Sequence, residues 1–150
     1  MAEKSVFERC VGVWEGVYNL LDTNGGLLDR HRSRLEIYQD GARRGSRNIY
    51  NWDDGRREVY TFWGEYQGNG VTQLESERII GEFTEIGDVI VLTWHYKFAP
   101  DNPMTEIIRL INDRQRIRCW QFMEHGRLTK VMAIEEFKVA DEPPPGAPWQ

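Results

Sequence analysis

Between residues 10 and 139, tight-turn residues interrupt the chain again and again. Asn24-Gly25-Gly26, Asp40-Gly41, Asp53-Asp54-Gly55, Gly87, Asn112-Asp113 and Glu124-His125-Gly126 each separate two runs of alternating or β-branched residues. Asn-Gly and Asp-Gly tips between such runs are a strong hairpin signal, because both residues accept the positive φ that these turns demand. The runs they help to bound are 11–20, 30–38, 46–52, 58–63, 70–74, 77–84, 89–98, 105–111, 116–122 and 128–139. Strands joined so tightly are antiparallel neighbours. A meander of nine or ten of them hides its edges best by closing on itself. The expected fold is all-β: an antiparallel up-and-down β-barrel of about 8–10 strands, opened by a short helical turn within 3–10. A cone-shaped α+β domain would need two or three amphipathic helices before its sheet, and no window carries their 3.6-residue stripe.

A chain of 150 residues fits one domain, expected over 1–140. The Pro-rich tail 141–150, DEPPPGAPWQ, is excluded from helix and central strand and reads as an extended arm, packed by Trp149 or loose. The net charge of −5 argues against a nucleic-acid partner, and the cluster Arg30, Arg32, Arg34, Arg43, Arg44 and Arg47 reads as a solvated strand face. Cys10 and Cys119 are too few for a disulfide framework and read as reduced core thiols. The absence of an apolar leader or a long apolar run points to a cytoplasmic location without membrane contact. Six tryptophans, six tyrosines and six phenylalanines suit either a dense core or a cavity for a flat ligand.

Gly12-x-Trp14 at the head of such a barrel resembles the first-strand signature of the calycins, the lipocalin and fatty-acid-binding-protein superfamily. The resemblance implies a tryptophan closing the barrel base, with an arginine from a late strand packed across it. Arg116 and Arg118 of RQRIRCW are the candidates. The segments GVWEGVYNLLDTNGGLLDRHRSRLEI, NIYNWDDG and EIIRLINDRQRIRCWQF are similar to an uncharacterised bacterial lipocalin-like family related to the lyases that load bilins onto phycobiliproteins. The likeness runs from about residue 8 to 138 and implies a fold and a cavity rather than a reaction.

Alternation sorts the strands into faces. Trp14 and Tyr18 are expected inside, with His31 and Ser33 on the second strand and Tyr50 and Trp52 on the third. The run VIVLTWHYK is apolar on both faces, so either Trp94 and Tyr96 or Thr93 and His95 point inward. Its outer side then calls for a cover, from the tail or from a second subunit, which makes a homodimer the expectation. Glu106 stands on a face with Ile108 and Leu110, where a carboxylate is costly unless paired with Arg116 or Arg118 one hairpin away. It is either half of a structural ion pair or a general acid or base. Glu135, in line with Val131, Ala133 and Phe137, invites the same two readings.

Three scattered histidines with no metal-ligand spacing argue against a metal, and no phosphate loop or nucleophile elbow is present. No cofactor is expected. The first functional reading is a cavity lined by Tyr18, Ser33, Trp52, Trp63, Trp94, Tyr96 and Trp120, binding a small apolar or aromatic molecule. The second is a cofactor-independent isomerase, cyclase or lyase in the same barrel, with His31, Tyr50, Glu106 and Arg118 as its acid–base and oxyanion groups. A third, an interaction module, requires an interior packed shut.

Overall fold

The computed structural model describes residues 3–150. One short helix, α1 (Val6–Cys10), precedes ten strands. These are β1 (Gly12–Asp22), β2 (Leu27–Asp40), β3 (Arg43–Asn51), β4 (Arg57–Gly68) and β5 (Val71–Glu75), then β6 (Ile79–Ile86), β7 (Val89–Tyr96), β8 (Met104–Asn112), β9 (Gln115–Glu124) and β10 (Arg127–Ala140). Each strand pairs antiparallel with the next, and β1 pairs with β10 from Val13↔Ala140 to Asp22↔Lys130, closing the barrel without a free edge. The all-β expectation holds, and every expected strand has its counterpart. Among the described residues no helix is long and apolar enough to cross a membrane.

The helix starts from a capping box, Ser5 and Glu8 satisfying each other's backbone N–H groups. It seals one end of the barrel: Phe7 stacks on Phe83 with ring centroids 5.3 Å apart. The Phe7 amide donates to Glu85 at 2.8 Å, and that carboxylate also receives Arg44 at 2.7 Å. Arg44 is thus buried, a departure from the solvated face expected of its cluster.

Two glycines of β1 shape this end. Gly12 adopts a φ of +137°, and a Cβ there would run into the Ala140 carbonyl. Gly16 has no such backbone demand, but a Cβ would meet the Glu136 side chain at 2.7 Å. Its bare backbone is what admits a carboxylate into the barrel wall.

Trp14 lies fully buried on the floor, its indole N–H donating to the Cys10 carbonyl at 2.8 Å. The Arg116 guanidinium sits 4.7 Å from the centre of its ring. The base-closing tryptophan and its late-strand arginine are therefore both in place.

The tail follows the outside of β2–β4. Tyr38 donates to the Pro144 carbonyl at 2.8 Å, Arg47 to Gly146 at 2.6 Å, and Trp149 packs edge-on against Tyr38 and Trp63. It does not cover the outer face of β7.

Candidate functional site

Inward side chains of the ten strands enclose a cavity of about 330 Å³. Tyr18, His31, Tyr50, Trp52, Trp94, Tyr96 and Trp120 all contribute to its wall, as do Glu106 and Arg118. The face of β7 left open by its sequence is thereby assigned: Trp94 and Tyr96 look in. Trp63 is the exception among the expected lining residues. It stands on the face of β4 opposite Tyr60 and Phe62, which do line the cavity, and its ring is taken up by Trp149. Ser33 is buried on the inner side of β2, yet it is not part of the cavity wall, and its hydroxyl finds no protein partner. Sequence reasoning missed Tyr60 and Phe62, although both alternate with outward Val59 and Thr61 in the expected strand.

The floor is an ion network. Arg118 Nε donates to Glu106 at 2.6 Å; its Nη1 donates to the Tyr18 hydroxyl at 2.6 Å and to Glu136 at 3.2 Å. Arg116 Nε donates to Glu136 at 2.9 Å. All four charged groups are at most 4% exposed. Burial pushes the Glu136 carboxyl up, but the two guanidiniums outweigh it and hold the group below its usual range. Burial likewise opposes the charge of Arg118, and the attraction of Glu106 and its neighbours holds it protonated more firmly than a free guanidinium.

Glu136, rather than Glu135, is the buried acid of β10. The neighbouring Glu135 faces solvent and accepts from Gln115, while Phe137 beside it is half exposed. Cys119 also departs from expectation: it lies on the outer face of β9, only partly buried, whereas Cys10 is a core thiol.

Higher on the wall the pattern changes. His31 Nδ1 lies 3.0 Å from Asp29, and the Trp52 indole donates to both oxygens of that carboxylate at 3.0 Å. The His31 ring is wedged between aromatic neighbours, 4.3 Å from Trp52, 5.0 Å from Tyr18 and 5.2 Å from Tyr50 between centroids. Asn48 donates to the Tyr50 hydroxyl at 3.1 Å. Burial pushes both phenols, Tyr18 and Tyr50, above their ordinary value, so each keeps its hydrogen. Asp29 had no place among the expected site residues; it sits just before the expected second strand, and its role exists only once the barrel brings Trp52 across from the end of β3.

Among the described residues no three His, Cys, Asp or Glu side chains gather as metal ligands. The cavity wall offers aromatic faces, a histidine, four tyrosines and, at the floor, arginines compensated by Glu106 and Glu136. That set can hold a flat molecule and exchange a proton with it.

No protein-family model matches the chain, and no curated protein matches it in sequence. Solved structures do share its architecture. A DUF3598-family protein of unknown function from Nostoc punctiforme superposes with a TM-score of 0.71 at 15% identity, over 89% of this chain and 49% of that one. What the two share is the fold. The S-type phycobiliprotein lyase CPES from Guillardia theta gives a TM-score of 0.64 at 20% identity, over 95% and 96% of the two chains. A redesigned β-barrel follows at 0.50 and 9% identity. The chain spans about half the length of the Nostoc protein, and nearly the whole of the lyase.

Proposed function

We propose that this lipocalin-like barrel binds a small, flat, apolar or aromatic molecule in its interior. The observation that carries the reading is the cavity itself: about 330 Å³ of open space in a barrel otherwise closed by its own side chains. That volume falls at the small end of ligand pockets, which run from about 300 to 1,000 Å³. A compact ring system fits it better than an extended chain. An interior built only for stability fills such space, since unfilled apolar volume costs stability.

The test is tryptophan quenching across a panel of compact aromatics, flavonoids, polyenes, bilins and fatty acids. Trp52, Trp94 and Trp120 in the wall supply the signal. Compact aromatics are expected to quench saturably, and Leu92→Trp, which fills the cavity, is expected to abolish the effect. Silence from every compound would overturn the reading.

The enzymatic alternative loses one of its expected acids: Glu106 is occupied by Arg118, and a neutralised carboxylate is a poor base. We also propose a homodimer, paired through the outward apolar stripe of Ile107, Ile117 and Phe137, each close to half exposed. Sedimentation at micromolar concentration is expected to give twice the chain mass; a single monomeric species rejects the pairing.

A further inference from the structure

Polar groups that reach the interior are mostly spent on one another, and His31 departs from that rule. Its Nδ1 is taken by Asp29, and Asp29 is fixed by the Trp52 indole. Its Nε2 has no hydrogen-bond partner among the described residues, although the side chain is only 7% exposed and lines the cavity. Burial pushes the Asp29 carboxyl up, yet hydrogen bonds from Trp52 and His31 hold it below its ordinary value, so it is ionised at neutral pH. An ionised Asp29 requires the hydrogen on Nδ1, and in the neutral imidazole that leaves the lone pair on Nε2. A base held in its tautomer by a carboxylate, itself held by a third group, is the arrangement general-base catalysis needs.

A count of hydrogens supplies the second half. Arg118 and the Asn48 amide both donate, to the Tyr18 and Tyr50 hydroxyls respectively. The two phenols pack edge to face with ring centroids 5.1 Å apart, and both remain protonated. Two phenolic hydrogens are therefore available, and at most one of them can lie between the two hydroxyls. The other is left for an oxygen in the cavity, at the end of a relay polarised by Arg118. The charged groups of the floor are balanced two against two, so the floor itself presents no net charge to a guest.

We propose that the barrel catalyses cofactor-free proton transfer on a compact, uncharged ketone. His31 is its base, Asp29 the residue that positions that base, and the Tyr18–Tyr50 pair the donor to the enolate oxygen. The proposal rests on the ligand-binding reading above. The C–H bond α to the carbonyl breaks, its proton passes to Nε2, and its electron pair forms a C=C bond as the carbonyl π pair moves onto oxygen. The enolate then collapses. C=O reforms, and the Nε2 proton returns to the α carbon or, in a β,γ-unsaturated ketone, to the γ carbon, bringing the double bond into conjugation. No oxidant, reductant or second reactant is consumed.

The probe is 1-phenylbut-3-en-1-one, whose conversion to the conjugated ketone is followed by absorbance and, in D2O, by deuterium at the γ carbon in proton NMR. Binding is read separately by tryptophan quenching. The wild-type protein is expected to isomerise the probe above the buffer rate. His31→Gln is expected to lose about 10²–10⁴-fold in kcat, with binding changed less than about threefold. Tyr50→Phe should lose about 10²–10³-fold. Asp29→Asn should lower kcat by about tenfold or more while leaving KM in place, the mark of a positioning residue. Circular dichroism checks the fold of each variant. If His31→Gln fails to fold, Asp29→Asn carries the decision by its kcat-against-KM split. A probe that binds without isomerising or exchanging above buffer, or an active His31→Gln, overturns the catalytic proposal and leaves the binding reading standing. A probe that does not bind, in a protein silent to the aromatic panel as well, overturns both.

Discussion

The floor and the upper wall of the cavity use similar side chains in opposite ways. On the floor, Arg116, Arg118, Glu106 and Glu136 satisfy one another, and Tyr18 caps the set with its hydroxyl. On the upper wall, Asp29 fixes one nitrogen of His31 and the other is left open to the cavity. A closed network of buried charges contributes rigidity and register but has no group free to react. An acid–histidine pair with one free atom costs little stability and keeps its chemistry available. Placing both on one barrel separates the residues that hold the shape from those that meet the guest.

Breaking the floor should therefore have the largest effect. Arg118→Met strands Glu106 and weakens the hold on Glu136, and is expected to destabilise the protein by about 3–5 kcal/mol. Urea unfolding measures it. Arg118→Met combined with Glu106→Leu should recover part of that loss, because the isolated buried charge, rather than the missing attraction, dominates the cost. A double variant no more stable than Arg118→Met alone would show that the floor is held by packing instead.

Acid offers a second way to open the same region. Glu136 has a depressed carboxyl pKa in the folded protein, so it stabilises the fold above its ordinary value near 4.5 and loses that contribution as pH falls through the folded value. The thermal midpoint should thus drop below about pH 4.5. In Glu136→Gln the midpoint should start lower at neutral pH and fall less steeply on acidification. An acid limb equally steep in both proteins would assign the loss to other carboxylates, Glu85 first among them, since it too is depressed.

The ease with which these two regions can be read from sequence also differs. Hairpin chemistry gives the strands, and a single hairpin brings Glu106 near Arg116 and Arg118, so an acid–arginine pair on the floor is legible from residue order, though which arginine it uses is not. The acid on β10 is not. Val131, Ala133 and Phe137 are as apolar as Met132 and Ile134, and nothing local tells the two faces apart. What decides is the β1–β10 register, which places Glu136 opposite the bare backbone of Gly16. Trp63 misleads for a related reason: an outward tryptophan looks like a lining residue until Trp149, far along the chain, is found packed on it. Asp29 escapes notice because its partner Trp52 lies just past the end of another strand, and only the β2–β3 pairing brings the two together.

Between the two extremes stands Trp14, part of the floor but outside its ion network. Trp14→Phe removes the indole N–H that satisfies the Cys10 carbonyl and weakens the cation–π contact with Arg116. The expected loss is about 1–3 kcal/mol, from a buried acceptor left unpaired. Urea unfolding should place this variant between Arg118→Met and the wild-type protein.

The smallest effect on stability is expected from the upper wall. Asp29 is about one-third exposed and close to the barrel mouth, where solvent screens its charge. Asp29→Asn retains an oxygen for the Trp52 indole and exchanges a charge-assisted contact with His31 for a neutral one. The unfolding free energy should change by less than about 1 kcal/mol. A loss as large as that of Arg118→Met would mean that Asp29 and His31 are structural after all, and the contrast between floor and wall would collapse. A small loss paired with a large fall in kcat would fix the contrast in its sharpest form, since two networks built from acids and bases would then differ in function through a single unpaired nitrogen.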